Sequence, residues 1–182
     1  MKRYLFVVAA VIVYCCMSCN TNPATSAGST RSNDAAQKNL EAAHAVNAAI
    51  LSGNVSNLDS FIASDAVDHA GMAGEIKGVD SIKAELAKIH NMSADMKSET
   101  IKELADSEYV FQWMRYTGTA STADMGMPVG TKYDITAIQV SKFNSDGKAT
   151  EHWEFMQPAD MMKMMQHNTG GTANKKDATK NK

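Results

Sequence analysis

The chain has 182 residues, is 44% apolar and carries a formal charge of −2, with 18 Lys and Arg against 20 Asp and Glu. This length suits about one domain with a real core. The near-neutral balance excludes a global basic field that would recruit nucleic acid, so no nucleic-acid partner is expected.

The first eighteen residues read as an export signal. Lys2 and Arg3 precede an apolar run over residues 5–14, which is shorter than the ~20 residues a bilayer-spanning helix needs. The three cysteines, Cys15, Cys16 and Cys19, all lie at its end in the stretch CCMSCN. Cys16 and Cys19 have CxxC spacing, but an apolar signal offers no second ligand pair for zinc. With no cysteine after Cys19, the remainder is expected to hold no internal disulfide. Residues 19–34 are small and polar and read as a flexible tether. Residues 167–182, Gly-rich and then Lys-rich, read as a disordered tail.

Residues 35–166 are expected to form the folded domain. Asp34 can cap a helix over 35–52 that Gly53 stops, with Leu40, Ala43, Asn47, Ile50 and Leu51 near helical spacing. A short helix is expected over 55–63, with Leu58, Phe61 and Ile62 inward. DAVDHAG then reads as extended. A further helix follows Gly78, capped by Asp80 or Ser81, with Ile82, Leu86 and Ile89 as its apolar stripe. After that the period becomes two. Segments 97–105, 108–119, 131–143 and 148–157 read as strands. Helices followed by an antiparallel run predict an α+β domain. Tyr109, Phe111 and Trp113 alternate with Val110, Met114 and Tyr116, so both faces of that strand are partly apolar. A cover on each face is therefore expected.

Three stretches carry a resemblance: AAILSGNVSNLDSFIASDAVDHAG, GVDSIKAELAKIH and TGTASTADMGMPVGTKYDITAIQVSKFNSDGKATEHWEF. In them Gly118 and Thr119, the GMPVG at 126–130 and the GKATEHW at 147–153 keep one order. The chain here resembles the nuclear transport factor 2-like superfamily, in its SnoaL-like polyketide cyclase branch. The resemblance implies a cone-shaped curved antiparallel sheet wrapped around N-terminal helices and enclosing an apolar pocket. It implies a small apolar ligand and, in many members, a homodimer through the sheet. It implies either binding alone or metal-free cyclase or isomerase chemistry, with no cofactor. The cysteine stretch separately resembles a bacterial lipoprotein signal, with Ser18 before a lipidated Cys19. That implies a protein of the bacterial cell envelope, held at the membrane by lipid.

Within GKATEHWEF, alternation groups Ala149, Glu151, Trp153 and Phe155 on one face and Thr150, His152, Glu154 and Met156 on the other. The first set is apolar apart from Glu151 and is expected to face the cone. Burial beside an indole raises a carboxyl pKa, which makes Glu151 the candidate acid/base. Its alternative is a Glu151 paired with lysine or backbone; a bulge would instead put His152 inside. His69 resembles a family histidine at the pocket mouth and is a second candidate, as a hydrogen-bond partner of a ligand carbonyl. Ala120 stands where the family often carries histidine. Trp113, Tyr109, Trp153, Tyr116 and Phe111 are expected to line core or pocket. The run MQPADMMKMMQH is read as a terminal helix opened by Pro158 and Asp160, or as thioethers able to hold Cu(I), with Met161 and Met165 one turn apart. The preferred reading leaves no metal.

Overall fold

In this computed structural model the structure describes residues 27–71, 74–93 and 95–162, and the side chains from residue 32 onward. The signal segment, Cys19, the start of the tether, Met164, Met165, His167 and the tail lie outside the described residues.

Helix α1 spans Ala27–Ser52. It reaches back into the stretch read as tether, so Asp34 sits inside the helix instead of capping it. Gly53, at φ 70°, ends it and donates to the Ile50 carbonyl at 3.3 Å. Ala42, Ala43 and Ala49 form its buried stripe. Such small side chains let the helix approach the sheet closely. Strand β1 spans Ile62–Asp68, taking in the last residues of the short helix expected over 55–63 and the start of DAVDHAG, which reads as extended; only a 3-10 turn at Leu58–Ser60 remains of that helix. The reason is tertiary. β1 pairs with a distant strand, and the Phe61 carbonyl accepts from the Ala149 N–H at 2.8 Å. Leu58 and Ile62 are buried as expected. The two-residue strand β2, Ile76–Lys77, folds back on β1.

Helix α2 spans Val79–Met92. Gly78, at φ 84°, supplies its cap position without a side chain, and Asp80 lies in the first turn. Ile82 and Leu86 face the core, where they join Leu58, Ile62 and Ala66. Strands β3 (Lys97–Ala105), β4 (Tyr109–Thr119), β5 (Lys132–Phe143) and β6 (Ala149–Met156) follow the expected segments closely.

The six strands form one curved, unclosed sheet in the order β2-β1-β6-β5-β4-β3. The β1–β6 junction is parallel and the others are antiparallel, so the sheet is mixed. The fold is α+β, with α1 and α2 against the inner face. Val110 and Met114 of β4 and Phe143 of β5 are buried there. Each such side chain contributes about 1.5–3 kcal/mol through burial. One end is closed by a separate buried cluster, Ala120, Met127 and Tyr133. Ala120 is packed solid at 1% exposure. Gly118 is required beside this cluster, because an added Cβ would lie 2.5 Å from the Tyr133 hydroxyl and 2.6 Å from Ser93 Oγ.

Candidate functional site

The position of the site depends on one irregularity in β6. Opposite β5, Lys142 pairs with Glu151 and Ser141 with His152, but Phe143 pairs with Ala149. Thr150 is the extra residue, and its hydroxyl donates to the Lys142 carbonyl at 3.2 Å. A bulge of this kind exchanges the faces of everything beyond it. Directly paired residues of an antiparallel ladder share a face. Ser141 lines the interior, so His152 does too, and Glu154 and Met156 follow by alternation. Glu151, Trp153 and Phe155 turn outward. This corrects the face expected for Glu151.

The interior holds a hollow in two adjoining chambers of about 70 Å³ and about 350 Å³. They share Ile50, Asp68, Leu86, Gln139 and His152 as common wall. The smaller chamber is largely aliphatic, between α1 and β1. The larger is bounded by α2, the strands and the turn after β1, and includes Met92, Met96, Met125 and Met156. The size of the larger chamber falls at the low end of small-molecule sites.

On the shared wall, His152 Nδ1 lies 2.9 Å from Asp68 Oδ1. Asp68 is only 8% exposed and also accepts from the Ala70 N–H at 2.9 Å. Burial pushes its carboxyl up, but the hydrogen bond and charge of His152, with the Ala70 N–H, hold it below the ordinary value. Asp68 is therefore a carboxylate at neutral pH, an acceptor that fixes the imidazole through Nδ1–H. Nε2 is then left as the basic nitrogen. Sequence alternation brings His152 inside only through a bulge, and it does not single out Asp68. Its proximity in sequence to His69, in DAVDH, was the available signal.

Further polar groups ring the hollow. Gln139 Nε2 donates to Glu154 Oε2 at 3.2 Å. The Tyr116 phenol is pushed well above its ordinary value by burial first and then by the Glu154 charge, with a hydrogen bond to Gln139 opposing. It therefore stays an O–H donor. Asn47 donates to Gln112 Oε1 at 3.2 Å, and Gln112 donates to Glu103 at 3.0 Å, joining the smaller chamber to the surface pair of Glu103 and His44. Two polar amides, Gln112 and Gln139, on otherwise apolar strand faces were the clue to a lined cavity.

Of the other expected site residues, Tyr116 lines the larger chamber and Glu151 borders the smaller one, while His69, Trp113, Tyr109, Trp153 and Phe111 line neither. The Glu151 carboxylate bonds Lys142 Nζ at 2.8 Å and lies 3.4 Å from His69 Nε2. The Lys142 hydrogen bond, ahead of an opposing desolvation, holds Glu151 below its ordinary value. That is the reverse of the raised acid expected, and it matches the lysine-paired alternative. His69 stacks on Trp153 with centroids 4.8 Å apart and rings 9° from parallel, and its Nδ1 lies 3.1 Å from Glu75. These contacts draw it to the outer surface. Phe111 and Trp113 are 45% and 42% exposed on the outer face, and Tyr109 packs against Phe111 there. Among the five expected aromatics only Tyr116 lines the hollow. The faces were reversed because both were apolar in sequence. Met161 and Met162 are exposed in a helical turn at 158–162. Among the described residues no three His, Cys, Asp or Glu side chains converge as a metal set. No helix among them is long and apolar enough to cross a membrane.

No curated protein matches the chain. Solved structures do. Bal32a from a soil-derived mobile gene cassette has a TM-score of 0.59 at 20% identity, covering 72% of this chain and 98% of its own. A SnoaL-like polyketide cyclase from Agrobacterium tumefaciens has a TM-score of 0.60 at 13% identity, covering 70% and 97%. IdmH from Streptomyces antibioticus has a TM-score of 0.58 at 23% identity, covering 70% and 98%. At these identities the likeness is one of fold. The SnoaL-like domain family matches residues 43–152, from the middle of α1 to the histidine of the Asp68 pair, and the chain belongs to that family.

Proposed function

We propose that the domain binds a small, largely apolar organic molecule in the two-chamber hollow and exchanges a proton with it through His152, held by Asp68. The observation that carries this reading is the Asp68–His152 pair, at 2.9 Å, on the wall the chambers share. An imidazole whose Nδ1 is anchored to a buried carboxylate presents Nε2 to the hollow as a general base. A carbonyl compound seated against Nε2 could lose an α-proton there, and the imidazolium formed would be stabilised by Asp68. The Tyr116 hydroxyl or the Gln139 amide can donate to the enolate oxygen. This is the first step of metal-free aldol cyclisation and of isomerisation alike. The cyclase name of a structural neighbour supports the reading without naming a substrate.

The test is deuterium exchange at the α-carbons of 2-tetralone, followed by NMR. The wild-type chain is expected to speed exchange over buffer, and His152→Gln to lose about a hundredfold of that rate. Exchange no faster than buffer, or equal in the variant, would contradict the acid/base role.

The export signal, lipidation at Cys19 and residence in the bacterial envelope remain part of the proposal, supported by the CCMSCN stretch after its apolar run. Labelled palmitate should enter the wild-type chain and not Cys19→Ala.

A second reading, association through the sheet, has its own support. Leu104, Phe111, Trp113, Ile138 and Phe155 are exposed on the outer face. They form two neighbouring rows across four strands. Patches of this kind mark interfaces. We propose a second copy as the partner. Sedimentation should show a dimer that Trp113→Glu dissociates.

A further inference from the structure

We propose that Glu154 sets the charge of the ligand: the larger chamber takes an apolar body bearing a cationic head and rejects an anionic one. This rests on the small-molecule binding proposed above.

Among the described residues lining either chamber there is no Lys or Arg. The larger chamber is lined by three acidic residues, Asp68, Glu85 and Glu154. Two of them are answered within the protein. Asp68 is bonded to His152 and to the Ala70 N–H. Glu85 accepts from Lys88 Nζ at 3.1 Å. Glu154 accepts from Gln139, an amide that supplies one hydrogen bond and no charge. Its field reaches into the hollow, since it disfavours ionisation of the neighbouring Tyr116 phenol. The chamber therefore presents a carboxylate whose countercharge no described lining residue provides.

The walls suit the rest of such a ligand. Met92, Met96, Met125 and Met156 surround the space with Ile89 and Ile135. Thioether side chains are polarisable and adapt to flat rings or alkyl chains alike. A ligand carboxylate or phosphate entering here would meet Glu154 with no Lys or Arg among the described lining residues to offset the repulsion. A protonated amine would replace part of its lost hydration with an ion pair to Glu154. Glu154 is an exposed residue on the chamber wall, so solvent screening keeps the effect small.

The test is calorimetric titration of the full chain at pH 7 with three probes on one skeleton: 2-naphthylmethylamine, 2-naphthalenemethanol and 2-naphthoate. The amine is expected to bind about threefold tighter than the alcohol, and naphthoate more weakly than both. In Glu154→Gln the ratio of amine to alcohol affinity should fall to about one. In Glu154→Lys the order should reverse, with naphthoate tightest, a result that a merely structural role for Glu154 would not give. If the alcohol binds wild type but charge makes no difference, or the amine preference survives in Glu154→Gln, the assignment of Glu154 is overturned while pocket binding stands. If none of the three binds, the binding proposal falls and this one with it.

Discussion

Val110, Gln112, Met114 and Tyr116 point from β4 toward the helices and the hollow, whereas Phe111, Trp113 and Arg115 point from the same strand into solvent. Val110 and Met114 are 1% and 2% exposed; Phe111 and Trp113 are 45% and 42% exposed. Hydropathy does not separate the two sets, since the outward one holds the larger apolar residues. They are separated by what covers them. Small alanines on α1 bring a helix onto one face. Nothing described covers the other, where the rows of apolar residues end at Arg115, which makes a two-pronged ion pair with Asp134 at 2.8 and 2.7 Å. One face is thus built for stability and a ligand, the other for contact.

The largest effect that can break this comparison is truncation of the inward methionine. Met114→Ala should destabilise the domain by about 2–5 kcal/mol in urea unfolding. Trp113→Ala, a larger deletion from the outward set, should cost the monomer under about 1 kcal/mol. Equal losses would mean that the outer face is covered. Next is Gly118→Ala, expected to cost about 1–3 kcal/mol, because the new methyl group meets the Tyr133 hydroxyl and Ser93 in a filled corner.

Asp68→Asn comes third, at about 1.5–3 kcal/mol at pH 7, for loss of a buried hydrogen bond to a charged acceptor. The sign with pH is definite. The Asp68 pKa is lower folded than its ordinary 3.8, so its stabilisation is complete above that value and lost as pH falls through the folded one. Acid unfolding curves should show a smaller drop below about pH 4 in Asp68→Asn than in wild type. The smallest effect is expected from Glu151→Gln. Its partners Lys142 and His69 are on the outer surface, so Tm should barely move and 2-tetralone exchange should match wild type. A loss of exchange there would restore Glu151 to the site.

Most of the layout was legible in residues. The change from a period near four to a period of two between Ile89 and Lys97 located the start of the antiparallel run β3 to β6. Four strands followed from alternation bounded by glycine turns, as at Gly147 after Asn144. Strand β1 was legible only in its second half, where DAVDHAG reads as extended; Leu58 and Ile62 suit a helix locally, and pairing with Ala149 across the molecule carries the strand back to Ile62. The site failed at a single residue. Pattern alone put Glu151 inside, and the bulge at Thr150, which no hydropathy pattern records, placed His152 there. The aromatics of β4 failed for a related reason: with both faces apolar, alternation gives the period without the direction.

The most direct test follows the two histidines that this bulge separates. Titrating the ¹⁵N-labelled chain with 2-tetralone should shift the ring resonances of His152, inside, and leave those of His69, stacked on Trp153 outside, in place. Movement of His69 with His152 silent would put the ligand on the other face and contradict the account.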